Sequence, residues 1–250
     1  NDLVFSSGYS DINDLGNKNY DLVIIDSYST RSIKIKTKVA KLKPFFGMYG
    51  YFNGPEVNRV LFSFHQMNSF IGYIKTESEI NNIAKSSLSI SIDDQKLIKK
   101  LELPINFIAI AIGGEWDYRT YKHWRKVIEI LFLKDKSLQI ILLGSDNAKE
   151  TEKEILEHFS TSHLVSYVSK LTFNQTGEII RQANVLLCCD GGLMHAANAL
   201  DTRIIPLFAR LTADMQLTKS CRSFPLFDST DVNNISVEDI ILKYNEAANF

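Results

Sequence analysis

Short and almost unbroken apolar runs recur along the second half of the chain, and each is followed by a stretch with helical spacing. The runs are NFIAIAI, LQIILL, HLVSYVS, NVLLCC and TRIIPLFA. Such segments are too short for independent helices and rich in branched side chains. They predict strands buried on both faces, the pattern of a parallel sheet. Between them, YKHWRKVIEILFLKD predicts an amphipathic helix with Trp124, Val127, Ile128 and Leu131 on one side. AKETEKEILEHF predicts a charged surface helix, and LMHAANAL a further helix. TFNQTGEIIRQA and SVEDIILKYNEAA predict helices with Thr172 and Ser236 in capping positions. Strand and helix alternating with short connections predict an α/β fold with a doubly wound parallel sheet.

The first half is less regular. YDLVIIDS, Tyr20 to Ser27, reads as a buried parallel strand ending at an acid. From Arg31 to Lys43 the pattern is helical, with Ile35, Val39 and Leu42 on one face and six cations without an acid across the segment. PFFGMYGYFNGP is broken by Pro and Gly into strand and loop. Val57 to Ile74 reads as a buried helix, and residues 76–104 as a polar connection between halves. The expected domains are residues 1–100 and 101–250.

Composition narrows the classes. The 250 residues are 45% hydrophobic and 23% charged, with a net charge of −1, so nothing in the balance draws the chain to nucleic acid. The three cysteines, Cys188, Cys189 and Cys221, form no CxxC pair and read as buried reduced thiols. No apolar run is long enough for a membrane span, and no signal peptide is visible. There is no D-x-D triplet and the five histidines are not clustered, so no metal site is expected.

The chemistry concentrates where three strands end: Gly113-Gly114, Gly144-Ser145-Asp146 and Asp190-Gly191-Gly192. In a parallel sheet these turns share one edge. The last of them opens a helix near Leu193, whose free N–H groups and dipole favour an anion, while glycine lets the ligand come close. A phosphate or diphosphate suits such a turn. An acid beside it would repel phosphate, so Asp190 makes sense facing the hydroxyls of a sugar. Taken alone, Asp190 reads equally well as a helix cap, and His195 as a satisfied core histidine. No GxGxxG follows a strand, which counts against NAD.

These same residues carry a resemblance. DGGLMHAANAL followed by RIIPLFARLTAD resembles the signature of glycosyltransferase family 9, the ADP-heptose:lipopolysaccharide heptosyltransferases. VSKLTFNQTGEIIRQANVLLCCD, IAIGGEWDYRTYKHW and NYDLVIIDSYSTRS are similar to other family segments. The resemblance spans most of the chain and is strongest over residues 106–215. It implies a GT-B fold of two Rossmann-like domains, the first incomplete, and transfer of a heptose-like sugar from an ADP-sugar to a lipopolysaccharide or lipooligosaccharide core. It implies that Asp190 meets the donor sugar and that Gly191, Gly192 and Leu193 hold the diphosphate through their amides. It further implies that His195 buttresses that loop, that Leu171 packs on adenine, and that Gly113 and Gly114 approach the phosphates. The family's lysine has no clean equivalent, and Arg119 or Lys122 is the nearest cation for the leaving group. The resemblance also implies a cytoplasmic protein with no cofactor beyond the donor. Its basic segment Arg31–Lys43 would face the acceptor or the inner face of the inner membrane, while its residues taken alone read as an ordinary solvated face.

Departures matter too. Gly191 replaces a Ser or Thr, and Ala209-Arg210-Leu211-Thr212 replaces Gly-Pro-Thr. The family's first strand and its Gly-Asp turn have no counterpart before Tyr20, and Asp11 and Asp14 do not match it. The expectation is therefore a truncated or divergent amino terminus with the catalytic base upstream and unassigned, Asp26 being a possible substitute. Two other classes stay open: an inactive family member that binds nucleotide sugar, and another nucleotide-dependent Rossmann enzyme.

Overall fold

A computed structural model describes residues 21–25, 34, 37–38, 45–47, 58–73 and 75–248. The chain divides into two units, Asn1–Ala84 and Lys85–Phe250. The division falls before the expected position at residue 100.

In the first unit β1 (Val23–Ile25) pairs in parallel with β2 (Phe45–Gly47), Val23 opposite Phe45. Lys34, Thr37 and Lys38 are helical and exposed, and the rest of the basic segment Arg31–Lys43 lies outside the described residues, as do Asp11, Asp14 and Asp26. Helix α1 (Arg59–Phe70) is shorter and less buried than its apolar content suggested. Asn58 opens it, its Oδ1 accepting from the N–H groups of Val60 and Leu61 at 3.0 and 3.1 Å. Gly72 closes it at φ 79, where the Tyr73 N–H donates back to Asn68 O at 2.8 Å. Glycine alone takes that left-handed C-terminal position without strain. Phe70, Ile71 and Tyr73 are consequently exposed. Helix α2 (Glu77–Ile83) begins with a capping box, in which Thr76 and Glu79 each hold the other's backbone N–H.

Residues 76–104 were expected as a polar connection, but they carry α2 and also α3 (Ile92–Lys99), capped by Ser91. The T-x-x-E and S-x-x-D spacings that make these caps were present in the sequence. Helix α3 buries Ile98 completely in the core of the second unit. This packing is why the division comes earlier than residue 100.

The second unit is a six-stranded parallel sheet. Its elements are β3 (Ile108–Ala111), α4 (Trp124–Lys134), β4 (Ile140–Leu143), α5 (Lys149–His158), β5 (Leu164–Ser166), α6 (Phe173–Gln182), β6 (Leu186–Cys189), α7 (Gly192–Ala199), β7 (Ile204–Ala209), α8 (Ala213–Gln216), β8 (Leu226–Asp228) and α9 (Val237–Ala248). The strand order is β5-β4-β3-β6-β7-β8. Alternation along each strand divides the core between two faces. Ile108 and Ile110 join Trp124, Val127, Ile128 and Leu131 of α4 and Ile240 of α9. Ala109 and Ala111 join Ile98 of α3, Ile179 and Ile180 of α6, and Met194 of α7. Each Ile, Val, Leu or Met side chain among them contributes about 1.5–3 kcal/mol on removal from water before conformational entropy is charged. Thr172 caps α6 in a capping box, and Ser236 Oγ accepts from the Asp239 N–H at 3.0 Å. The expected doubly wound α/β fold is present, with the short edge strand β8 and the helix α8 as additions.

The chain leaves β3 toward β4 and β5, then returns to the other side of β3 as β6. The connections at the carboxyl ends of β3 and β6 therefore diverge and leave a crevice, the place where open α/β sheets bind ligands. Among the described residues, no helix is long and apolar enough to cross a membrane.

Candidate active site at the strand-order reversal

The crevice holds a cavity of about 640 Å³, walled by the connections after β3, β4, β5 and β6. That volume suits a ligand of nucleotide size. Gly113, Gly114, Leu171, Asp190, Gly191, Gly192 and Leu193 all line it, so the three glycine turns do meet at one edge.

The loops are tied to one another. Asn147 Nδ2 donates to Gly114 O at 2.6 Å, and Ser145 Oγ donates to Asn147 Oδ1 at 2.9 Å. Ser169 adopts a left-handed φ of 56, its N–H donating to Gly144 O and its Oγ to Asp146 Oδ1 at 2.7 Å. The Lys149 and Ser169 hydrogen bonds hold the Asp146 carboxyl below its ordinary range. Gly114 is glycine for a packing reason. A Cβ there would lie 2.5 Å from Arg119 O and 2.9 Å from Thr120 Cα, so the turn that carries Arg119 closes against it.

Asp190 continues β6, its N–H donating to Leu207 O at 3.0 Å. Its buried carboxylate does not cap α7. The N-cap is Gly191, and no side chain caps the first-turn amides of α7 at Gly192, Leu193 and Met194. The Asp190 Oδ2 instead accepts from Arg119 Nη1 at 2.8 Å. Arg119 sits on a short 3₁₀ turn, Asp117–Arg119, ahead of α4. Its side chain lines the cavity and is 17% exposed, and its Nε–H is buried without an acceptor. Glu115 stands 3.7 Å from its Nη2. The guanidinium offsets the Asp190 carboxylate locally, so the buried acid stands in the cavity as one half of an ion pair.

His195 is half-exposed rather than a core residue, with Nε2 4.0 Å from Asp190 Oδ1. Lys122 is exposed and does not reach the cavity, and its backbone N–H is held by Asn233 Oδ1 at 2.8 Å. Of the two candidate cations, only Arg119 is brought to the site. Neither Gly191 nor Gly192 adopts a left-handed conformation, Gly191 being extended at φ 168. Glycine serves there by leaving space: nothing lies within 4 Å of a Cβ on Gly191, and only Phe173 Cε2, at 3.5 Å, near one on Gly192.

Phe173 was missed in the sequence. It opens α6, is 49% exposed and forms a wall of the cavity beside Leu171. The signal was a large apolar residue directly after the Thr172 cap, in the connection that leaves β5. Cys189 also borders the cavity, but burial pushes its thiol up to about 12, which leaves it protonated and unreactive. Among the described residues, no group of three or more His, Cys, Asp or Glu side chains could hold a metal ion.

Residues 51–232 match the family model for glycosyltransferase family 9 (heptosyltransferase). A search of curated proteins found no match. Among solved structures, a family 9 glycosyltransferase from Veillonella parvula superposes with a TM-score of 0.74 at 13% identity, covering 95% of this chain and 78% of that one. The E. coli ADP-heptose lipopolysaccharide heptosyltransferase II gives 0.65 at 17% identity, covering 94% and 78%. An E. coli heptosyltransferase with ADP-2-deoxy-2-fluoro heptose gives 0.64 at 17% identity, covering 95% and 75%. The α/β architecture is thus that of GT-B glycosyltransferases.

Proposed function

The chain belongs to glycosyltransferase family 9, and we propose from that premise that it moves a heptose-like sugar from an ADP-sugar to a lipopolysaccharide or lipooligosaccharide core acceptor, without a metal. The observation that carries this reading is the Arg119–Asp190 pair at 2.8 Å, beside the uncapped start of α7 in one cavity. In this reading the Gly192 and Leu193 amides and the Arg119 guanidinium hold the diphosphate. Asp190 accepts hydroxyls of the sugar, and adenine lies against Leu171 and Phe173. As the bond from the anomeric carbon to the diphosphate oxygen breaks, negative charge grows on the departing ADP. Preorganised N–H donors lower that barrier because they need no reorganisation. The Arg119 Nε–H then gains the acceptor it lacks. The group that takes the acceptor's proton is not assigned.

Donor preference tests the reading. ADP at a hundred times its Kd stabilises the folded state by about 2.7 kcal/mol, or roughly 5–10 °C in Tm for a unit of this size. ADP is expected to give this shift, and ADP-heptose to support transfer onto a deacylated core oligosaccharide in EDTA. Stabilisation by UDP or NAD alone would replace the donor assignment. ADP binding without transfer would mark an inactive member.

A second expectation concerns Gly192→Val. The free protein is expected to melt within a few degrees of wild type, since the nearest atom to the new Cβ is 3.5 Å away. The branched side chain fills the space in front of the α7 amides, so ADP affinity is expected to fall at least about tenfold, the change that an unfavourable 1.4 kcal/mol produces. Titration calorimetry with ADP decides it, and wild-type affinity would put the phosphates elsewhere.

A further inference from the structure

Arg210, the residue that leaves β7, has no part in the reading above. It holds φ 67, a left-handed conformation disfavoured for any side chain with a Cβ. Strain of this kind persists only where its surroundings enforce it, and it concentrates near functional sites. Its surroundings here are specific. The Arg210 guanidinium carbon lies 3.7 Å from the centroid of the Tyr118 ring. Its backbone N–H donates to Asp228 O and its Nε to Thr230 O, each at 3.4 Å. Tyr118 belongs to the turn Asp117–Arg119, packs against one face of the sheet, and has the Arg119 guanidinium 5.8 Å from its ring centroid. A continuous path of contacts therefore runs from Arg210 through Tyr118 to Arg119 and Asp190.

We propose that Arg210 is a positioning residue for Arg119: stacked on Tyr118, it clamps the turn that aims the Arg119 guanidinium into the cavity. The strained backbone at 210 places the stack. Glycine, the usual occupant of such a conformation, would relieve the strain but supply no cation. This inference rests on the reading that Arg119 meets the donor diphosphate.

Arg210→Gly separates strain from function, because glycine adopts φ 67 freely. Its Tm is expected to equal or exceed that of wild type. Its Kd for ADP is expected to rise about two- to fivefold, the range of a solvent-accessible cation–π contact. Tyr118→Leu is expected to weaken ADP by a similar factor, and the double variant to be no weaker than Tyr118→Leu alone. Unchanged ADP affinity in Arg210→Gly, while wild type binds ADP, overturns this inference and leaves the donor assignment standing. An undiminished Arg210→Gly effect in the Tyr118→Leu background also overturns it, since Arg210 would then act on ADP through its own charge. A wild-type protein that does not bind ADP removes the donor assignment and this inference with it.

Discussion

Asp190→Ala is expected to reduce kcat/KM for sugar transfer by at least about 100-fold, the scale of a lost transition-state contact, while ADP still binds. The two readouts diverge for a physical reason. In wild type the Asp190 carboxylate engages Arg119 at 2.8 Å. Without that carboxylate the guanidinium keeps only the exposed Glu115 at 3.7 Å and is freer to pair with a phosphate, so affinity for bare ADP is expected to be retained or increased. The sugar, however, loses its acceptor, and Arg119 loses the partner that sets its orientation. Breaking a buried pair costs about 3–5 kcal/mol, less where one partner keeps some exposure as Arg119 does, so a melting curve must accompany the rates. Asp190→Asn keeps the shape and is expected to melt nearer to wild type with most of the rate still lost. A variant that retains a third of the wild-type rate would remove Asp190 from the donor site.

Arg119→Ala and Lys122→Ala are expected to part by more than an order of magnitude. The first removes a charge that lines the cavity, and is expected to slow transfer about 100- to 1000-fold. The second removes an exposed charge away from it, worth under about 1 kcal/mol, and is expected to keep the rate within about twofold. The double variant should match Arg119→Ala. Assays with magnesium and with EDTA test the metal-free reading at the same time. If magnesium restores Arg119→Ala, or wild type needs it, a metal rather than Arg119 offsets the charge on the departing ADP. If Lys122→Ala is the slower variant, the assignment of the two cations is reversed.

The sequence by itself determined the second unit nearly element by element, because each element there is decided by neighbours in the chain. Buried strands appear as apolar runs, and α4 appears through the spacing of Trp124, Val127, Ile128 and Leu131, all of which are buried. Thr172 and Ser236 announce helices through hydrogen bonds that span three residues. The signature around Asp190 pointed to the family for the same reason. Weak local signals were lost: α2 and α3 hid in a polar stretch, and β8 is a three-residue edge strand with little burial. What only the tertiary structure decided was which charges meet. Arg119 and Lys122 stand three positions apart and look alike in the sequence, but the 3₁₀ turn directs only the first into the cavity. Its partner Asp190 is 71 positions away, and they touch because β3 and β6 are neighbours in the sheet. The stack of Arg210 on Tyr118 depends on the same strand order. Pairing across a sheet is chosen by the packing of the whole core, which no local window of residues contains.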